Sequence, residues 1–245
     1  MKVKDIKNRV TLLNVAASLF MQIASVISAL IVPRLILETF GSSTNGLVSS
    51  ISQFLNYITL VEGGITGVIS ANLYKPLVDG DNKKLSSVLT TARSFYRKIG
   101  VLFIGYSVVL GVVYPFFVDT DYEYWYVFAL TLTLSIGLML QYMFSLTFTT
   151  LLNADKKVYI VAFTGTVLTI ANIILTLVVV NVYPDIIVLK FASAILFVLQ
   201  PIFYGLYINK HYNIDWNADK DNSLIKQRWN GFAINLAFFI HTSTC

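Results

Sequence analysis

The stretch Val158-Tyr-Ile-Val-Ala-Phe-Thr-Gly-Thr-Val-Leu-Thr-Ile-Ala-Asn-Ile-Ile-Leu-Thr-Leu-Val-Val-Val-Asn181 runs for 24 residues without one Asp, Glu, Lys or Arg. At ~1.5 Å per residue a helix of that length spans about 36 Å, enough to cross a hydrocarbon core of ~30 Å. Five more stretches meet the same test: 10–32, 47–71, 101–118, 125–152 and 186–208. Of the six, only two hold a charged residue, Glu62 in the second and Lys190 in the sixth. The composition agrees. The chain is 56% hydrophobic and 13% charged, with a mean hydropathy of +0.70. An ordinary soluble domain is about a quarter charged. Half that charge cannot cover a particle of 245 residues in water, so much of its surface must face lipid. The fold class expected is all-α, a polytopic integral membrane protein.

The positions of the charges set the topology. The net charge of +5 might suggest nucleic acid, but the basic residues sit in the gaps between apolar runs. The N-terminal segment carries Lys2, Lys4, Lys7 and Arg9. The second connection carries Lys75, Lys83, Lys84, Arg93, Arg97 and Lys98, the fourth Lys156 and Lys157, and the sixth Lys210, Lys220, Lys226 and Arg228. Only Arg34 and Lys190 fall toward the opposite side, and the connection 119–123 has acids and no base. Lys and Arg are retained on the cytoplasmic side of a membrane. Six spans with a cytoplasmic N-terminus follow. The basic start leads into an apolar run too long for a cleaved signal peptide, so it reads as a retained first span. Trp125, Tyr122, Tyr124 and Tyr126 are expected at the outer interface, and Tyr204 and Tyr207 at the inner one. Leu85, Val88, Leu89, Ala92, Phe95, Tyr96 and Ile99 recur on one helical face, which predicts an interfacial helix over 85–99.

Catalytic chemistry has no foothold. There is no Gly-rich phosphate loop and no nucleophile elbow. The single cysteine, Cys245, excludes an internal disulfide, and two histidines, His211 and His241, are too few for a histidine metal centre. The reading is therefore of a protein that is not an enzyme, with no cofactor and no metal.

Polar groups inside apolar spans are costly and tend to face protein, water or a ligand. The second span is the richest in them. Gln53, Asn56 and Gly63 are spaced to share one face, Glu62 lies beside it, and Gly63, Gly64 and Gly67 permit close helix contact or a bend. Arg34 follows Pro33 at the outer end of the first span, four residues before Glu38, a spacing that suits an ion pair or a cation near an outer mouth. Arg34, Gln53, Asn56 and Glu62 are the candidate cavity residues.

The run Ile31-Val-Pro-Arg-Leu-Ile-Leu-Glu-Thr-Phe-Gly41 and then Asn45-Gly-Leu-Val-Ser-Ser-Ile-Ser-Gln-Phe54 resembles the start of bacterial polysaccharide flippases. So do Leu60-Val-Glu-Gly-Gly-Ile65, Asn72-Leu-Tyr-Lys-Pro-Leu77 and Ala92-Arg-Ser-Phe-Tyr-Arg-Lys-Ile-Gly100. These are the Wzx-type O-antigen and capsule exporters of the multidrug/oligosaccharidyl-lipid/polysaccharide superfamily. The resemblance implies 12 to 14 spans in two six-helix lobes around a central cavity. It implies translocation of undecaprenyl-diphosphate-linked oligosaccharide across the bacterial inner membrane, without a bound cofactor. It also implies a coupling ion, H+ or Na+, and partnership with a polysaccharide polymerase or glycosyltransferases. On that reading residues 1–208 are the N-terminal lobe, 209–230 the cytoplasmic interlobe connection and 231–245 an incomplete seventh span, so the sequence is taken as truncated after one lobe. Two other readings stand beside it: a multidrug exporter of the same superfamily, and a non-transporting membrane scaffold of a polysaccharide assembly complex.

Overall fold

The computed structural model describes residues 3–118 and 122–221. The regular elements among them are all helical: α1 (Val3–Asn56), α2 (Thr59–Asp79), α3 (Asn82–Val113), a short turn at Tyr114–Phe116, α4 (Tyr124–Leu140), α5 (Leu146–Ala154), α6 (Val158–Val182) and α7 (Ile186–His211). A π-helical turn, Gln141–Ser145, joins α4 to α5, so the two form one rod. Among the described residues five helical segments are long and apolar enough to cross a bilayer: Arg9–Asn56, Asn82–Phe116, Tyr124–Ala154, Val158–Val182 and Ile186–His211. The predicted stretches at 101–118, 125–152, 158–181 and 186–208 fall on the last four of these.

α1 is two arms meeting at Gly41, whose φ of 84° and ψ of 171° break the helix. A side chain there would be strained, and glycine adopts such angles freely. The contacts show that the chain turns back at this point. Asn14, on the first arm, bonds the backbone of Lys156 and Tyr159, past the end of α5. Thr44, just beyond Gly41, meets the hydroxyl of Tyr122, ahead of the start of α4. Thr66, on α2, has returned to the level of Thr150 through Tyr96. The stretch expected at 47–71 is therefore divided between the second arm of α1 and α2, with a bend at Tyr57-Ile58.

The first arm packs along α6, α2 against α3 and α5, and α4 against α3 and α7. The core follows these seams: Ile51, Leu55, Leu73, Val88, Leu89, Phe103, Leu130, Leu151 and Ile186 are almost wholly buried. Large apolar side chains cover the outside, among them Leu12, Leu19, Leu30, Val109, Phe163 and Leu206. Exposed apolar surface of that extent suits lipid and not water.

Three expectations change. No separate interfacial helix occupies 85–99. Those residues begin the continuous helix α3, and Leu85, Val88, Leu89, Ala92, Tyr96 and Ile99 are all buried in the bundle core. The amphipathic pattern marked a packing face, because a helix face buried against α2 and α5 carries the same period as one resting on lipid. Tyr204, expected at an interface, is fully buried and bonds Gln200 and the carbonyl of Val161. Gln53, Asn56 and Gly63 do not form one continuous face, since the bend at Tyr57-Ile58 interrupts the register between them. The expected seventh run at 231–245 and the part of the connection beyond Asp221 lie outside the described residues.

Candidate functional site

The most polar interior cluster is built where α2, α3 and the α4–α5 rod meet. After the bend, the Thr59 hydroxyl bonds the carbonyl of Asn56 at 2.7 Å and starts α2. Glu62 stands in the first turn of that helix and is half-buried. One turn on, the Thr66 hydroxyl lies 2.9 Å from the hydroxyl of Tyr96 on α3, which lies 3.3 Å from the hydroxyl of Thr150 on α5. Thr150 donates its own proton to the carbonyl of Leu146 at 2.7 Å. A hydroxyl has one proton to give. Thr150 therefore accepts from Tyr96, and the Thr66 proton is shared between Tyr96 and the carbonyl of Glu62, 3.5 Å away.

Tyr142 completes the cluster from the π-helical turn. A π turn inserts one residue into the helical repeat and re-aims the side chains beside it. Gly100 lets α3 approach this turn, for a Cβ at that position would come within 2.9 Å of Cγ of Met143. The Tyr142 ring is almost wholly buried near Glu62, and its hydroxyl makes no hydrogen bond among the described residues. Among the described residues the salt bridges are Arg34–Glu38, Lys84–Asp221 and Lys157–Asp155, and none involves Glu62. A carboxylate withdrawn from water without a counter-charge is expensive. The cluster thus suits a neutral carboxylic acid, a carboxylate that takes up a cation, or a hydrogen-bonding partner for a hydroxylated ligand.

The other sequence-predicted residues do not join Glu62. Arg34 is exposed and pairs with Glu38 at 2.7 Å, the ion pair its spacing allowed. Gln53 and Asn56 are exposed on the second arm of α1. Tyr96, Tyr142 and Thr150 were missed. Tyr96 lay in the segment read as interfacial, and Tyr142 and Thr150 sit in a span whose apolar content hid them. The available signal was Tyr142, well inside its span, where an aromatic hydroxyl has no headgroup to meet.

Comparison with protein-family models, with curated proteins and with solved structures gives no match for this chain.

Proposed function

We propose that the chain is one lobe of a membrane transporter that flips undecaprenyl-diphosphate-linked oligosaccharide across the bacterial inner membrane. On this reading the two arms of α1 are separate crossings, the second continued by α2. The six crossings leave the N-terminus and the end bearing Lys156 and Lys157 in the cytoplasm. The observation that carries it is the Glu62 cluster: an acid with no ionic partner among the described residues, set among hydroxyls inside a largely apolar bundle. A structural bundle has no need of such a group, whereas a transporter uses one to meet a substrate or an ion. The resemblance over 34–100 to polysaccharide flippases is what supports this substrate class. The exposure of Arg34, Gln53 and Asn56 is what a cavity wall facing a second lobe would present.

The test is expression in a bacterial strain lacking its own O-antigen flippase, with surface polysaccharide as the readout. Restoration by the natural chain, and at least a tenfold loss with Glu62→Gln at equal membrane levels, is the expected result. Full restoration by the Gln variant would remove Glu62 from the mechanism. Stable insertion with no restoration, by this chain alone or together with a second lobe, would end the flippase reading. The multidrug-exporter reading draws on one observation, that Glu62 is an acid without a paired base, which suits cationic drugs. Resistance to cationic dyes conferred by the chain and lost with Glu62→Gln would favour it.

A further inference from the structure

Midway along the α4–α5 rod, on the side facing α7, the π-helical turn opens a crevice of about 350 Å³. Gln141 and Ser145 line it from the turn, Phe197, Gln200 and Pro201 from α7, and Gly137 leaves room on the α4 wall. Three polar side chains meet here with unused capacity. Gln141 is exposed and makes no hydrogen bond. Ser145 is 3% exposed and, unlike Thr131, Thr133 and Thr150 on the same rod, gives its hydroxyl to no helix carbonyl. Gln200 donates to Tyr204 at 3.0 Å, which leaves its amide oxygen open. Gln141 is the eighteenth residue of the 31-residue segment Tyr124–Ala154, and Gln200 the fifteenth of the 26-residue Ile186–His211. Both amides are thus far from either end, where neither water nor headgroups satisfy them. Among the described residues no Asp, Glu, Lys or Arg lines the crevice.

We propose that this crevice is a binding site for a neutral sugar ring. A primary amide donates and accepts at adjacent atoms, which suits vicinal hydroxyls, and the aromatic and proline walls suit the apolar face of a pyranose. The absence of charge argues against a phosphate or an organic cation. The volume accommodates one or two rings and not a long glycan. This inference rests on the glycan reading above and gives it a second contact point, separate from Glu62. The two are physically linked, because Gln141 of the crevice and Tyr142 of the Glu62 cluster are adjacent residues of one π turn. An occupant that bonds Gln141 bears directly on the turn that aims Tyr142.

The test uses the full chain in lipid nanodiscs with farnesyl glycosides of glucose, galactose and mannose, each carrying a photoreactive diazirine on the sugar. A second set carries the diazirine on the isoprenoid tail. Labelled peptides are mapped by mass spectrometry. The expected result is sugar-borne label at 134–145 and 197–201 with at least one glycoside, falling at least tenfold in the Gln141→Leu/Gln200→Leu variant. Leucine is similar in size and apolar, so the bundle keeps its packing, and unchanged tail-borne label elsewhere verifies that. Gly137→Phe, which fills the crevice, should abolish the same label. No sugar-borne label there with any of the three glycosides overturns the proposal. So does tail-borne label in the crevice that survives the double leucine variant, which would make it a groove for lipid chains. Labelling is read without transport, so a labelled crevice in a chain that restores no polysaccharide, either alone or with a second lobe, would refute the flippase reading and leave this site standing.

Discussion

The two ends of the bundle are held by different chemistry. At the end where α5 meets α6, polar side chains clasp backbone and charge. The amide of Asn14 donates to the Lys156 carbonyl at 2.7 Å and accepts from the Tyr159 amide at 2.8 Å. Asp155, Lys157 and Tyr212 form a closed triangle, with Lys157 2.8 Å from the carboxylate and 3.0 Å from the phenol. The segment after α7 straps across the start of α3 through Ser86, Ser87, Thr91 and Lys84. At the other end, rings do the joining. Tyr122 stacks on Tyr126 with centroids 5.0 Å apart, and Tyr124, Trp125, Phe116 and Phe128 form a chain of edge and tilted contacts. Trp125, Phe116 and Phe117 are more than 70% exposed there. Amphipathic rings suit a headgroup layer, while lysines with fixed partners suit a watery face. The basic end should therefore respond most to loss of single polar atoms and to pH, and the aromatic end most to loss of rings.

The largest effect is expected at Asn14. No side chain of α6's own segment caps its N-terminus. Asn14 supplies the cap from another helix by accepting from the second residue of α6, and it also holds the carbonyl of Lys156, which sits at a φ of 59°. Asn14→Leu leaves a backbone donor and a backbone acceptor without partners. Each costs on the order of 1 kcal/mol, so a loss of about 2 kcal/mol is expected. For a chain of this size that lowers the midpoint of thermal unfolding by roughly 4–8 °C. A drop of under 1 °C would remove the clasp from the account. Tyr122→Phe at the aromatic end should keep its stacked ring and shift the midpoint by less than half as much.

A smaller effect is expected from the strap. Trp216 lies under the guanidinium of Arg93, 5.0 Å from its ring centroid, and edge-on to Phe148. Trp216→Ala removes both contacts and should cost about 1 kcal/mol. Limited proteolysis reads it directly: cleavage after Lys220 should quicken severalfold, while Trp216→Tyr restores most of the protection. Equal cleavage in all three proteins would show that the strap is held by Lys84 and the hydroxyls alone.

The contrast between the ends also explains what could be read in advance. Span positions follow from runs of apolar residues, which depend only on local composition, and the four later ones lie where expected. The gathering of Lys75, Lys84, Lys156, Lys157 and Lys210 at one end was legible for the same reason. The Glu62 cluster was legible only by one member. Glu62 announces itself as a charge in an apolar run, but Tyr96, Tyr142 and Thr150 are ordinary residues until α2, α3 and the π turn bring them together. The π turn itself has no sequence signature. The break at Gly41 was equally silent, because a glycine between two apolar runs permits a bend, a hairpin or a straight helix.

The smallest and most specific expectation concerns pH. Tyr212 follows the last residue of α7, beyond the apolar span, and donates to the Asp155 carboxylate. Burial first, and that carboxylate second, push its phenol above the ordinary tyrosine value. The folded state thus favours the protonated phenol more than the unfolded state does. The stabilisation is fully present below the unfolded value of about 10, and it is lost as pH rises from there toward the folded value. Tyr212→Phe should therefore cost about 1 kcal/mol at pH 8, and the gap from the natural protein should narrow above pH ~10. Lys157 faces the same phenol, so both proteins are best compared in a Lys157→Arg background, where the cation persists. The absence of any gap at pH 8 would mean that Tyr212 contributes through its ring, which phenylalanine keeps against Lys157 and the neighbouring Tyr207, and not through its proton. The basic end would then be held as the aromatic end is, by rings, with the ion pair of Asp155 and Lys157 as its one ionic contribution at that corner.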